Sequence, residues 1–380
     1  MRKLSRMISM LSLSCCLALA GCSKEGEDAA ARRKADLAND RLYAGYRLDQ
    51  EGAIDLGVQP LTMPESSISE LLSRDNVLAA QLKTKNLLLK PFPFYKGKNI
   101  QELMSEGKLE AGFLGDMPAI TAAATGDVVI VAMVKQGFSS IVAGKPMLVS
   151  ELKGKRIATG IGSAAHFTLL NALANEGLTE RDVELVGMEV SDMPQALAQG
   201  TVDAFSAWEP TPAMAFAAYP EFHLVHKGLN FAFLCFRRDF VTDHPVAARE
   251  IAAAVARGSL WMREPGRIEQ AAHWIRASAA KFQAAPYLLQ VEQTIALTRN
   301  DLLNIPMAPQ IPERMLRENE LLWKKFNYLK KNGKIPQNVP WSKVRESFDT
   351  ELLRGVLSNA KPYALREFDY RSDNEQDGVK

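Results

Sequence analysis

Cysteine is scarce, and its placement is informative. Three of the four stand within the first 22 residues (Cys15, Cys16 and Cys22), and the fourth is Cys235. If the first segment is cleaved, one unmodified thiol remains, which excludes an intramolecular disulfide and a cysteine metal cluster. Charge of one sign is lacking too: 46 Lys and Arg balance 44 Asp and Glu, for a net charge of +2. That leaves no basic footprint for nucleic acid. No apolar run reaches the ~18 residues of a membrane span. There is no P-loop, no nucleophile elbow, no His-Glu-x-x-His and no zinc spacing, so nothing calls for a metal or a cofactor. What is present is an ordinary globular composition, 47% apolar and 24% charged, over 380 residues. At ~150 residues per domain this suggests two domains.

The first 45 residues are of a different kind. Arg2, Lys3 and Arg6 precede an uncharged, mostly apolar stretch from Met7 to Ala20. It is too short to span a bilayer and matches the ~7–15-residue apolar core of an export signal. It ends in Leu19-Ala20-Gly21-Cys22, which resembles the bacterial lipobox. The expectation is a lipoprotein signal peptide over 1–21, with Cys22 lipidated; a plain secretory signal with an incidental cysteine is the alternative. Cleavage removes three positive charges and takes the chain to about −1. Ser23 follows Cys22, which leaves inner or outer membrane open. Residues 22–45, charged and Ala-rich, read as a tether, and the polar 371–380 as a disordered tail.

Between these ends strands and helices alternate. Ile54–Val58 has strand alternation, Ile68–Leu82 helical spacing, and Leu87–Leu89 opens a strand whose Pro91 and Pro93 cannot donate to a ladder. That strand belongs at a sheet edge. Ile100–Glu106 (helix), Ala111–Gly115 (strand), a helix from Pro118 to Ala124 and Val128–Val134 (strand) complete a βαβαβαβ run, which favours a mostly parallel sheet. A second alternation follows: strand 154–159, turn 162–166, helix Phe167–Glu176, strand Val183–Val190, helix Met193–Gln199 and strand Val202–Trp208. Helices dominate after Pro245: Val246–Met262, Arg267–Phe282, Leu288–Ala296, Glu313–Lys331 and Lys343–Leu357. The charged Glu313–Lys331 helix reads as a solvated packing helix. Cys235, among Phe231, Phe233, Leu234 and Phe236, reads as an inert buried thiol.

One string occurs twice in altered form. Glu106-Gly107-Lys108-Leu109-Glu110-Ala111-Gly112-Phe113 is echoed by Gln199-Gly200-Thr201-Val202-Asp203-Ala204-Phe205. Each runs from a helix end through Gly, two residues, an acid and a small residue into a strand, so the chain reads as two similar α/β lobes.

This layout, with Gly115-Asp116-Met117-Pro118-Ala119, Leu152-Lys153-Gly154-Lys155-Arg156-Ile157-Ala158, Gly162-Ser163-Ala164-Ala165-His166-Phe167, Ala196–Ala204 and Trp208-Glu209-Pro210, resembles the periplasmic substrate-binding proteins of ABC importers. The subgroup it is most similar to binds sulfonates, taurine and nitrate. The resemblance covers about residues 50–300. It implies a two-lobed periplasmic binding protein type II fold, each lobe a mostly parallel sheet flanked by helices, joined by a two-strand hinge. Lobe 1 would be 46–143 with 232–370, and lobe 2 144–231. The stretch Lys83–Gly97, with its two prolines, departs from the family's Gly-rich turn.

Ligand is then expected in the cleft, at the strand ends. Gly162, Ser163, Ala164, Ala165 and His166 form a turn opening a helix, where unpaired amides and roughly half a positive charge can hold an oxyanion without Lys or Arg. Gly115, Asp116 and Met117 would face them from the other lobe. Asp116 serves the helix dipole or holds a ligand cation, as Glu209 can, and two such carboxylates would suit a zwitterion. Gln59 and Pro60 end the first strand, Phe138 and Ser139 follow the fourth, and Trp208 can wall an alkyl chain. No catalytic and no metal-binding residue is expected.

The resemblance implies a monomer that captures a small anion, sulfonate- or taurine-like, for ABC permease subunits with a cytoplasmic ATPase. It would be held to the periplasmic face of the envelope by its N-terminal lipid. The alternatives are a same-fold enzyme of the pyrimidine-synthase type and a ligand-sensing lipoprotein without transport.

Overall fold

The computed structural model describes residues 43–63, 65–282 and 289–372. The signal peptide, Cys22, the tether as far as residue 42 and the tail from residue 373 lie outside the described residues. Residues 43–48 belong to a unit separate from the remainder; in it Tyr46 N–H donates to the Tyr43 carbonyl at 3.0 Å.

The strands are β1 (Ala53–Val58), β2 (Leu88–Pro93), β3 (Ala111–Gly115), β4 (Val128–Ala143), β5 (Arg156–Thr159), β6 (Glu184–Gly187), β7 (Ala204–Trp208) and β8 (His223–Arg237). The helices are α1 (Glu65–Arg74), α2 (Asn76–Lys83), α3 (Gly97–Ser105), α4 (Asp116–Thr125), α5 (Ala164–Asn175), α6 (Met193–Ala198), α7 (Thr211–Ala218), α8 (Arg238–Asp243), α9 (Pro245–Trp261), α10 (Arg267–Phe282), α11 (Val291–Asn304), α12 (Leu321–Lys331), α13 (Trp341–Glu346) and α14 (Thr350–Ser358).

All eight strands join one sheet, in the order β2-β1-β3-β8-β4-β7-β5-β6. Within each lobe the pairing is parallel: β1 with β2 and β3, and β5 with β6 and β7. The antiparallel pairings all involve β4 or β8. At about 3.3 Å per residue β4 is roughly 50 Å long, so it and β8 run through both lobes as a two-strand hinge. The proline-bearing β2 takes the edge, as its missing donors require.

Both faces of the second lobe are covered, and the period of two sorts its side chains. Ile141, Ile157 and Ala204 pack with Leu169 and Leu173 of α5 on one face. Val142, Ala158 and Phe205 pack with Met193 and Leu197 of α6 on the other. Each fully buried Leu or Phe contributes about 1.5–3 kcal/mol.

The echoed strings fold alike. Gly107 and Gly200 have φ of +78° and +68° and end their helices with matched bonds. Lys108 N–H donates to Leu103 O at 2.9 Å, and Thr201 N–H to Ala196 O at 3.0 Å. The acid that follows then pins the neighbouring strand. Glu110 accepts from the Asp55 amide at 2.7 Å, and Asp203 from the Arg156 amide at 2.9 Å. An arginine caps each freed glycine carbonyl: Arg237 on Gly107, and Arg156 on Gly200 at 2.8 Å.

Several boundaries differ from those read in the sequence, each for a local reason. The Ile68–Leu82 helix breaks at Asp75, whose carboxylate caps α2 at the Leu78 amide (2.9 Å) and pairs with buried Arg257 (2.7 Å). The fourth strand runs on to Ala143, so Phe138 and Ser139 lie within it instead of after it. Bulges interrupt its first half, and C-terminal segments serve the freed groups: Ile130 N–H donates to Ser347 O at 2.7 Å and Met133 N–H to Pro309 O at 2.9 Å. The Lys343–Leu357 helix splits there, because Asp349 N–H bonds Ile130 O (2.9 Å) while its side chain caps α14. The Leu288–Ala296 helix starts later and runs to Asn304. The Glu313–Lys331 helix begins only at Leu321, after a left-handed Asn319 (φ +68°). Pro118 is the third residue of α4, not the first, still within the turn that needs no amide donor.

Candidate functional site

The sheet is stepped, and the step creates two corners beside the hinge. β3 pairs with β8 only as far as Gly115–Ala232, so β8 continues past it with a bare edge. On the other side β7 pairs with β4 only as far as Trp208–Ser139. Loops from both lobes gather at these two places.

At the first corner Asp116 opens α4 with its side chain fully buried. It accepts from the Phe231 amide of the bare edge at 2.8 Å and pairs with Lys325 of α12. Lys325 is also fully buried. Its ammonium donates to Leu229 O at 3.0 Å and lies 5.4 Å and 5.6 Å from the ring centres of Phe167 and Phe231. Burial lowers the Lys325 pKa, and the Asp116 carboxylate works against that. The cation expected at Asp116 is thus the chain's own.

The facing turn comes from lobe 2. Gly162 stands at φ +80°, and Ser163 caps α5 by accepting from His166 N–H at 3.2 Å. His166 Nδ1 accepts from Gly162 N–H at 3.0 Å and bonds the Tyr328 hydroxyl at 2.7 Å. With Nδ1 accepting, the ring proton sits on Nε2, which is buried with no partner among the described residues. Burial lowers the His166 pKa, which favours the neutral ring. The Ala164 and Ala165 amides, first in α5, have no acceptor among the described residues. Side chains of α12 thus reach both turns, Lys325 at Asp116 and Tyr328 at His166.

At the second corner Glu209 follows β7, and its carboxylate accepts from Ala213 N–H at 3.2 Å. Burial raises its pKa. Around it gather Glu65 of α1, Lys135 and Phe138 of β4, Lys227 of β8 and Asp301 of α11. Lys135 pairs with Glu65 at 3.3 Å, both buried. Lys227 lies 5.5 Å from the Phe138 ring centre. Gly137 makes room here: a Cβ on it would lie 3.2 Å from Lys135 Cε and 3.6 Å from both Asp301 oxygens. Asp301 Oδ2 has no hydrogen-bond partner among the described residues. Burial pushes the Asp301 pKa up to about 7, and the nearby charges of Glu209 and Glu65 add to it.

The other expected residues are placed as follows. Gln59 is buried and donates to Phe113 O at 3.2 Å, latching β1 to β3. Pro60 lines a cavity of ≈ 210 Å³ with Ser66, Ser69, Arg74, Pro91 and Lys281. Gly115 is the residue before α4, and Met117 is buried in its first turn. Ser139 accepts from Asn230 within the hinge at 2.8 Å. Trp208 packs where a Gly160 Cβ would be 3.7 Å from its ring.

Sequence reading missed Lys325, Tyr328, Lys135, Glu65 and Asp301. The Glu313–Lys331 segment is not simply a solvated helix. Leu322, Phe326 and Leu329 form an apolar stripe, and Lys325 falls on that stripe. A lone lysine on an apolar face was the available signal.

No helix among the described residues is long and apolar enough to cross a membrane. Among curated proteins, the chain is 32% identical over 142 residues to one of Escherichia coli (strain K12) named as an aliphatic sulfonates-binding protein. The match takes in 34% of this chain and 44% of that one, so the chain spans about half the length of the curated relatives it matches. Among solved structures it resembles the alkanesulfonate-binding protein of Xanthomonas axonopodis pv. citri bound to MOPS, with a TM-score of 0.59 and 19% identity, covering 78% of this chain and 98% of that one. The desulfurization enzyme DSZB shares the fold, with a TM-score of 0.54 and 12% identity over 82% of this chain and 100% of that one. Binding proteins and an enzyme thus use one scaffold. The NMT1-like family model matches residues 87–276, half of the sequence, and the chain belongs to that family.

Proposed function

We propose that the protein is the substrate-binding component of an ABC importer, capturing a small anion between its lobes, with sulfonate- and taurine-like molecules favoured. What supports this is that α12 side chains reach two helix-opening turns, Lys325 at Asp116 and Tyr328 at His166, with the Ala164 and Ala165 amides unengaged and His166 Nε2 buried without a partner among the described residues. Preformed amide donors at a helix N-terminus bind an oxyanion with no proton transferred. The lobes would be 46–143 with 232–370, and 144–231, and β4 and β8 would flex between them.

The same reading makes the protein a monomer that docks on permease subunits with a cytoplasmic ATPase. It would sit on the periplasmic face of the envelope, tethered through a lipid on Cys22. Capture without chemistry is supported by how the reactive groups are spent: Cys235 is fully buried with its pKa pushed far up by burial, and Asp116 is paired.

A thermal-shift screen of the full chain tests this. Ethanesulfonate, taurine, nitrate and bicarbonate are the probes. A ligand at a hundredfold over its Kd stabilises the folded state by ~2.7 kcal/mol. One probe or more should raise the Tm in a saturable way and be recovered unchanged. No shift with any probe, or turnover of a probe to product, contradicts the proposal.

A further inference from the structure

The two expected ligand turns do not face empty space. Two residues of α12, one helical turn apart, reach one turn each. Lys325 grips Asp116 and the Leu229 carbonyl, and Tyr328 grips His166. The Tyr328 ring also meets Phe167 edge-on, with centroids 5.4 Å apart. Past the end of the helix, Lys334 comes alongside the same turn: a Cβ on Gly162 would lie 3.8 Å from its Cε. Residues three apart share a helix face, so one rigid element touches both lobes at the ligand turns.

The two grips differ in kind. The Lys325 end is an ion pair with both side chains fully buried. The Tyr328 end is a contact between neutral groups, on a half-buried tyrosine. Charge-assisted bonds are about twice as strong as neutral ones. If the two turns part, the weaker Tyr328–His166 contact gives way and α12 stays with α4 and the hinge strand β8.

We propose that Leu321–Lys334 is a built-in clasp: anchored to α4 and the hinge strand β8 through Lys325, Asp116 and Leu229, it closes on the ligand turn that opens α5 through Tyr328 and His166 and holds that turn against α12. Ligand must displace Tyr328 from His166 to reach the α5 amides. The clasp therefore competes with ligand and sets the threshold for capture. This last step rests on the anion-capture reading; the clasp contacts do not.

Hydrogen–deuterium exchange on the full chain tests the clasp without any ligand. Tyr328→Phe keeps the ring and removes the hydroxyl. Amides of 160–170 and 321–334 should then exchange roughly tenfold faster, with 53–58 and 204–208 unchanged. No local change, or a uniform rise across the protein, overturns the clasp. The paired change Lys325→Met with Asp116→Asn removes the anchor without stranding a charge. It should speed exchange at 321–334, and unchanged exchange there overturns the anchor. Titrating ethanesulfonate and taurine separates the two readings. Affinity severalfold tighter in Tyr328→Phe than in wild type supports competition, and equal affinity overturns it. Failure of both probes to bind either protein overturns capture of sulfonates and the competition step, while the exchange result still decides the clasp.

Discussion

The two corners of the hinge are built from similar parts and reach opposite electrostatic ends. At the first, one buried carboxylate meets one buried ammonium, and backbone groups of β8 take up further bonds. At the second, three carboxylates (Glu65, Glu209 and Asp301) surround buried Lys135, with Lys227 nearer solvent. A matched pair leaves no excess of one sign. An acidic excess in low dielectric must take up protons or positive charge. The first corner is thus closed by the chain itself, while the second carries an unsettled charge balance on the other side of the same two strands.

The sharpest way to break this comparison is to strand a charge in the balanced corner. Lys325→Met leaves Asp116 buried without its cation and should cost about 3–5 kcal/mol. Urea unfolding of wild type and variant measures it. Adding Asp116→Asn should recover most of the loss, because an uncharged pair of similar volume has little desolvation to offset. If the single change costs less than ~1 kcal/mol, the corner is wetter than its burial implies.

The second corner should respond in the opposite direction. Asp301 has its folded pKa raised to about 7 from 3.8. A carboxylate raised on folding binds more protons in the native state, so stability falls as pH rises from about 4 to about 7. Asp301→Asn should therefore be near-neutral at pH 4 and stabilising by roughly 4 kcal/mol at pH 8. Thermal melts at the two pH values give the test. A variant destabilised at pH 8 would mean that the ionised carboxylate is wanted by Lys135.

His166 gives a smaller, third effect. Its pKa is lowered by burial. The unfolded chain then takes up the proton first, so the contribution of the neutral ring is present above about pH 6.5 and is lost as pH falls below it. A proton on Nδ1 would also face the Gly162 and Tyr328 donors. Stability should drop more between pH 7 and pH 5 in wild type than in His166→Gln, as read from denaturant midpoints.

Much of the fold was legible because it is local. The helix-ending glycines, the Ala111–Gly115 strand, the edge assignment of β2 and the echo of Glu110 in Asp203 all follow from periodicity, missing donors and turn chemistry. The breaks at Asp75 and Phe348 were not, because partners distant in sequence decide them: Arg257 for Asp75 and the β4 bulge for Phe348. The site divides likewise. Ser163 capping α5 and Gly162 in a turn are local facts. That Asp116 already has a cation depends on Lys325, 209 positions away. Pairings at that range leave only an oblique trace, here a lysine on an apolar stripe.

The smallest expected effect lies at the rim of the cleft. Lys96, just before α3, meets Glu189, after β6, at 2.6 Å. Their side chains are 52% and 61% exposed. Such a pair is screened by water and salt, so a double-mutant cycle with Lys96→Ala and Glu189→Ala should return a coupling within about 0.5 kcal/mol that fades in high salt. Position and strength are separate matters here. This bridge joins the lobes where a clamp would be drawn by eye, yet solvent leaves it weak. The Lys325–Asp116 pair, out of sight under α12, should carry several times more. A coupling above ~1.5 kcal/mol at Lys96–Glu189 would mean that exposure does not weaken this pair as its solvation implies.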